Sequence, residues 1–240
     1  MYGLRKNVQR LLEGKPLLVA LDHPQHFGPM PGLMNPIATI ELLATTPVNG
    51  FVLNRGLFSR LDACKLYNKI LVMRGDVLGS KYSTASSSYP IMVEPEEVLI
   101  LGADAVLLML PIGTFDDVNS IGRLGQAVSK FHAYAIPVIA EIFPSDFSKA
   151  TVETISTGAR IAAEIGVDAV KTYYVDGFKT IVESCFVPVL LAGGPKEANF
   201  LDIVKKAVQE GAAGLIIGRN IFQAPDPIEL VQRICEILKT

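Results

Sequence analysis

The chain has 240 residues, half of them apolar, and a net charge of −2 with both signs spread along it. That length and composition suit one large domain with one core, and the absence of a basic stripe argues against a nucleic-acid or anionic-membrane partner. No apolar run reaches the roughly 20 residues that span a bilayer, and Cys64, Cys185 and Cys235 match neither a zinc spacing nor a disulfide framework, so a cytoplasmic location is expected.

The chain opens on an amphipathic segment, Met1–Leu12, whose Arg5, Lys6 and Arg10 rule out a signal-peptide core. A first strand is predicted over Pro16–Leu21, with Asp22 and His23 after it. The second, Gly50–Leu53, is followed by Asn54, Arg55 and Gly56, and the third, Lys69–Met73, by Arg74. A Ser-rich stretch, Ser83–Tyr89, reads as a loop. Strand four is predicted over Ala103–Leu110, a helix over Asp116–Ala135, and strand five over Pro137–Ile142, with Glu141 and Phe143 at its close. A helix over Ser148–Ile165 leads to strand six, Ala169–Thr172, whose end carries Lys171 and Tyr173. Strand seven, Pro188–Ala192, runs into Gly193 and Gly194. A helix over Glu197–Glu210 leads to strand eight, Gly214–Ile217, followed by Gly218 and Arg219, and a last helix covers Pro227–Leu238.

Several of these runs are apolar on both faces, as strands of a parallel sheet covered on both sides must be. Eight strands alternating with helices make one (β/α)₈ TIM barrel; an open doubly wound sheet is the rival reading. No linker or composition break divides residues 1–240, so a single domain is expected. In a barrel, function sits at the carboxyl ends of the strands, which is where the unusual residues above cluster.

Lys171 follows the apolar pair Ala169-Val170. Desolvation and a nearby cation disfavour an ammonium there and make the amine a nucleophile toward a carbonyl. The bland alternative is a lysine paired with a carboxylate such as Asp22 or Glu141, with no covalent role. The Gly193-Gly194 and Gly218-Arg219 turns let backbone N–H groups approach an anion, in the two loops where barrels often hold phosphate; the same glycines could merely make tight turns. Asp22 and Glu141 are the candidate proton carriers, provided their acidity is weakened, and Tyr173 shares the face of Lys171. For Glu141 the competing reading is an ion pair with Arg55 or Arg74. His23 and Arg55 are expected to contact substrate. His23 and His26 are three residues apart but lack a third ligand, and no metal site is expected.

The stretches Leu21-Asp22-His23, Arg55-Gly56, Gly102-Ala103-Asp104-Ala105-Val106, Arg160-Ile161-Ala162-Ala163-Glu164, Val170-Lys171-Thr172-Tyr173-Tyr174-Val175, Ala192-Gly193-Gly194 and Gly218-Arg219-Asn220-Ile221-Phe222-Gln223 together resemble one family. It is the class I aldolase family of the archaeal fructose-bisphosphate aldolase and heptulosonate synthase type, most like its branch of thiolases that degrade phosphorylated autoinducer-2. The resemblance implies a TIM barrel with a Schiff-base lysine at Lys171, an acidic residue at Asp22 and phosphate binding at Gly193, Gly194, Gly218 and Arg219. It also implies a homo-oligomer, commonly a decamer. The aldolases of this family use a tyrosine near the end of strand five as acid/base; Phe143 stands at the matching position and cannot move a proton, a departure that the thiolase branch shares.

The expected function is therefore carbon–carbon bond cleavage or formation in a small phosphorylated ketose or diketone through an imine, with no metal or organic cofactor. The alternatives are thiolase-like acyl transfer from a phosphorylated diketone to coenzyme A, and a phosphosugar-binding barrel without chemistry.

Overall fold

Helix and strand alternate along the chain because apolar runs too short for helices are separated by amphipathic segments that are long enough. In the computed structural model, described for residues 2–83, 89–114, 116–144, 150–195 and 199–239, the strands are β1 (Leu17–Ala20), β2 (Gly50–Asn54), β3 (Ile70–Arg74), β4 (Ala105–Ile112), β5 (Val138–Pro144), β6 (Ala169–Thr172), β7 (Val189–Ala192) and β8 (Gly214–Ile217). They pair in parallel in chain order, and β8 closes on β1 through Leu17↔Leu215 to Val19↔Ile217. This is the expected (β/α)₈ barrel; the closure excludes an open sheet.

The long helices lie near their predicted places, at Asp117–Ala133, Val152–Glu164, Phe200–Gln209 and Pro227–Leu238. Strand four is displaced from its expected bounds and begins at Ala105. Asp104 closes the preceding turn instead, its carboxylate accepting the Leu71 N–H at 2.8 Å. β4 and β5 then pair from Val106↔Val138 to Ile112↔Pro144, the longest ladder of the barrel. The Ser-rich loop expected at Ser83–Tyr89 lies outside the described residues except at its two ends.

Strand alternation sorts the core into two layers. One set of side chains, with Leu17, Val19, Val106 and Leu191 among it, faces the helices. The other fills the barrel: Leu18, Ala20, Val52, Ile70, Val72, Ala105, Leu107, Ile139, Ala169, Leu190 and Ile216. The first helix, Tyr2–Leu12, places Leu11 with that interior set, as a floor at the amino-terminal end. No described helix is long and apolar enough to cross a membrane.

Candidate active site

The inward-facing positions continue upward past the apolar filling. Counting by twos, Leu18 and Ala20 lead to Asp22, Ile70 and Val72 to Arg74 and Asp76, Ile139 to Glu141, and Ala169 to Lys171. The barrel's top layer is thus charged, and all five side chains are buried, at 6 % exposure or less.

Charge of this kind is sustainable only when each group has a partner. Arg74 supplies the centre. Its Nε donates to Asp22 Oδ2 at 2.8 Å, and its Nη2 to Glu141 Oε2 at 2.5 Å. Its Nη1 lies 3.4 Å from Asp76 Oδ1. The other oxygen of Glu141 accepts from Lys171 Nζ at 2.6 Å. Glu141 thereby bridges the arginine and the lysine. Asp76 Oδ2 accepts the Met109 N–H at 2.5 Å, tying the network to β4.

Asp22 and Glu141, expected as proton carriers with weakened acidity, are shifted the other way in this network. Burial pushes Asp22 up, but the attraction of Arg74, His23 and Lys171 outweighs it and brings the carboxyl down to about 2. Burial also opposes ionisation of Glu141, and Lys171 and Arg74 again win, so its pKa is lowered. The physical reason is Arg74, which both carboxylates share. Asp76 goes the other way: burial and the neighbouring Glu141 outweigh Arg74, the Met109 amide and Arg123, and its pKa is raised.

His23 lies half-buried beside Asp22, with Nδ1 3.5 Å from Asp22 Oδ1 and its ring edge-on to Phe222. Burial, Lys171 and Arg219 hold it below the ordinary imidazole range, against the pull of Asp22 and Glu141. Its ring explains Gly218. A methyl group there would sit 2.3 Å from His23 Cε1 and 2.8 Å from the Ala20 carbonyl oxygen. Gly194 has φ of +64°, a left-handed conformation that favours glycine. The β7 and β8 loops are stapled together by Asn220, whose Nδ2 donates to Gly193 O at 2.7 Å, and Arg219 Nη2 donates to Gly194 O at 3.4 Å. Arg219 Nε is buried without a hydrogen-bond partner among the described atoms.

A cleft of about 250 Å³ opens over this layer, bounded by Asp22, His23, Arg74, Glu141, Lys171, Tyr173 and Arg219 together with His26, Phe27, Leu78, Tyr89, Met109 and Phe143. A hollow of about 360 Å³ lies at the opposite, amino-terminal face; its charged residues, Lys15, Glu236 and Lys239, are exposed, so the smaller cleft is where the chemistry collects. Tyr173 packs edge-on to Phe143, with ring centroids 6.4 Å apart. Burial and Glu141 push its phenol well above the ordinary range.

Arg55 is not brought to the cleft. It has the opposite parity to Asn54, whose Nδ2 reaches inward to the Asp22 carbonyl at 2.8 Å. Arg55 starts the short helix Arg55–Phe58 and pairs with Glu97, its side chain 53 % exposed. Of the two partners considered for Glu141, Arg74 is the one it has. Asp76, Tyr89 and Met109 were missed by sequence reasoning. Asp76 carried a readable signal, since Val72, Arg74 and Asp76 share one parity.

A buried lysine, bridged through a carboxylate to an arginine, lies at the carboxyl end of a closed (β/α)₈ barrel, the end where barrel enzymes act. The chain belongs to the DeoC/LacD family of aldolases, whose sequence model matches residues 17–224. It is 28% identical to 2-amino-3,7-dideoxy-D-threo-hept-6-ulosonate synthase 1 of Archaeoglobus fulgidus, over 98% of this chain and 90% of that protein. It is 31% identical to the 3-hydroxy-5-phosphonooxypentane-2,4-dione thiolase of Photorhabdus laumondii, over 97% of this chain and 81% of that protein. Among solved structures, an archaeal fructose-1,6-bisphosphate aldolase with its catalytic lysine covalently bound to the carbinolamine intermediate superposes with a TM-score of 0.89 at 25% identity, over 99% of this chain and 100% of that one. The chain is a class I aldolase by family.

Proposed function

We propose that Lys171 forms a Schiff base with a small phosphorylated ketone and that Glu141 moves the protons of the reaction. The observation that carries this reading is the 2.6 Å contact between Lys171 Nζ and Glu141 Oε1, in a layer where both groups are buried. The ammonium proton has an acceptor already in place. Its transfer to Glu141 frees the lone pair, and the amine attacks the carbonyl carbon to give a carbinolamine. Glu141, now neutral, returns the proton to the carbinolamine hydroxyl, which leaves as water. The protonated imine then accepts the electron pair of the breaking carbon–carbon bond as an enamine. The ionised Glu141 takes the proton from the hydroxyl that becomes the new carbonyl. Bond formation is the same sequence reversed.

Asp22 accepts from Arg74 and not from Lys171 among the described hydrogen bonds, so Glu141 is the carboxylate placed to take the lysine's proton. The role of Asp22 is to hold Arg74 and the positive end of the network in place. Tyr173 stays a neutral phenol that can donate to a substrate oxygen. The amides of Gly193, Gly194 and Gly218 and the guanidinium of Arg219 hold the phosphate, with His23 beside them as a neutral imidazole.

The test is borohydride reduction in the presence of dihydroxyacetone phosphate, followed by peptide mapping. The adduct is expected on Lys171; an adduct on another lysine would overturn the assignment. Plain dihydroxyacetone should be trapped far less readily, and equal trapping would sink the phosphate site.

Phe143 and the 31% identity to a thiolase favour one second reading, in which the imine-activated fragment is passed to the thiol of coenzyme A. Release of an acyl thioester from a phosphorylated diketone would establish it. Cleavage of fructose 1,6-bisphosphate at an ordinary enzymatic rate would show that the argument from Phe143 is wrong. The cytoplasmic location is part of the same proposal, as is assembly into a homo-oligomer such as a decamer; light scattering tests the assembly.

A further inference from the structure

In the closed ring of eight strands, β7 and β8 stand across the mouth from β3 and β4. A ketone phosphate held by the β7 and β8 loops, with its carbonyl over Lys171, therefore points its far end at the β3–β4 wall. Above Arg74, the described side chains that reach the cleft from this wall are Leu78, Met109 and Tyr89. Two are apolar; Tyr89 carries a hydroxyl.

The backbone that follows Tyr89 is held by pairing. After β3 the chain leaves the barrel and returns antiparallel to itself, with Asp76 bridged to Ile91. Val77 N donates to Pro90 O, and Met92 N to Gly75 O, each at 2.9 Å. Gln25 locks the outgoing strand by accepting the Leu78 N–H at 2.8 Å. Tyr89 is half-buried directly before this clamp.

We propose that Tyr89 is a specificity-determining residue whose phenol donates a hydrogen bond to a hydroxyl on the substrate carbon beyond the imine carbon, on the side away from the phosphate. Burial, Asp76 and Glu141 raise its pKa, against Arg123 and Arg74, so the phenol keeps the proton it donates. This assignment rests on the Schiff-base reading above, which supplies the position of the carbonyl.

Two ketones separate this inference from that reading. Dihydroxyacetone phosphate has the hydroxyl; hydroxyacetone phosphate has a methyl group where the other has the hydroxymethyl group. The concentration of each that gives half-maximal borohydride trapping is measured in the wild type and in Tyr89→Phe, which keeps the ring and the packing. Loss of one neutral hydrogen bond should raise the value for dihydroxyacetone phosphate about 5- to 10-fold and leave that for hydroxyacetone phosphate unchanged. An unchanged ratio in Tyr89→Phe, or an equal rise for both ketones, overturns the proposal. So does a loss of the ratio in Tyr173→Phe while Tyr89→Phe keeps it. If neither ketone is trapped on Lys171 in the wild type, the Schiff-base reading fails and takes this assignment with it.

Discussion

The lower and upper halves of the barrel interior are built from the same alternating positions and are buried to the same degree, yet they hold opposite kinds of side chain. Below, Leu18, Val72, Ile139 and Leu190 fill space and ask nothing of their neighbours but contact. Above, Asp22, Arg74, Glu141 and Lys171 are kept in place by specific partners. Apolar filling loses stability in proportion to the volume removed. A charge network loses it according to which charge is orphaned. The upper layer is therefore the costlier and more specific structure, and it stands where the cleft opens.

The largest expected effect is on chemistry in the upper layer. Lys171→Arg keeps the charge beside Glu141 but cannot form an imine, and activity should fall by more than about 10⁴-fold. The protein should remain folded, as circular dichroism will report. Residual activity within tenfold of the wild type would refute covalent catalysis.

Next comes stability, where the two halves should separate. Arg74→Met strips the shared partner from three buried carboxylates and should cost about 3–5 kcal/mol in denaturant unfolding. Leu190→Ala, below it, should cost about 2–5 kcal/mol through a cavity, but should leave the mapped lysine and the pH profile as they are. If Arg74→Met proves neutral, the network is not what holds the upper layer together.

Sequence patterns exposed one half of this comparison better than the other. The apolar runs marked every strand, because a strand covered on both faces must be apolar throughout, and their number pointed to the closed barrel. Asp22, Glu141, Lys171, Gly193, Gly194, Gly218 and Arg219 were legible as residues at strand ends. The pairing among them was not. Arg74 stood out as a residue at the end of strand three and a possible partner of Glu141, but its hold on Asp22 depends on β1, β3 and β5 facing one axis, which no local pattern encodes. The place of Arg55 was not legible: it starts a short helix after the inward Asn54 and pairs with Glu97 away from the cleft. Tyr89 lies 15 residues beyond Arg74 in an aperiodic stretch, and only the antiparallel return of the chain brings it to the cleft.

Arg219→Ala should act on binding, raising KM about 10- to 100-fold with a smaller effect on kcat, as expected for loss of a charged contact remote from the reacting carbon. A fall in kcat with KM unchanged would move Arg219 out of the anion site.

The smallest effect is on acid stability. Asp22 titrates at about 2 in the folded protein against an ordinary value of 3.8, so its contribution is full above that ordinary value. It is lost as pH falls through about 2, and is worth about 2 kcal/mol. Glu141, also lowered, adds to the same acid loss. Asp76, raised, has the opposite sign: its stabilising effect is present at low pH and lost as pH rises through its folded value. Unfolding followed in acid for the wild type and Asp22→Asn should converge toward pH 2. Parallel curves would mean that Asp22 does not carry the dependence.

The account turns on Glu141 serving two cations at once: Arg74 holds one of its oxygens in place, and Lys171 uses the other as the acceptor of its proton. The most direct measurement is the rate at which a borohydride-trappable imine with dihydroxyacetone phosphate appears after mixing, in the wild type and in Glu141→Gln. The carboxamide keeps the size of the side chain but cannot shuttle the proton. The imine should form about 10²- to 10⁴-fold more slowly in Glu141→Gln, while the amount finally trapped on Lys171 stays the same. An unchanged rate of imine formation would contradict the account.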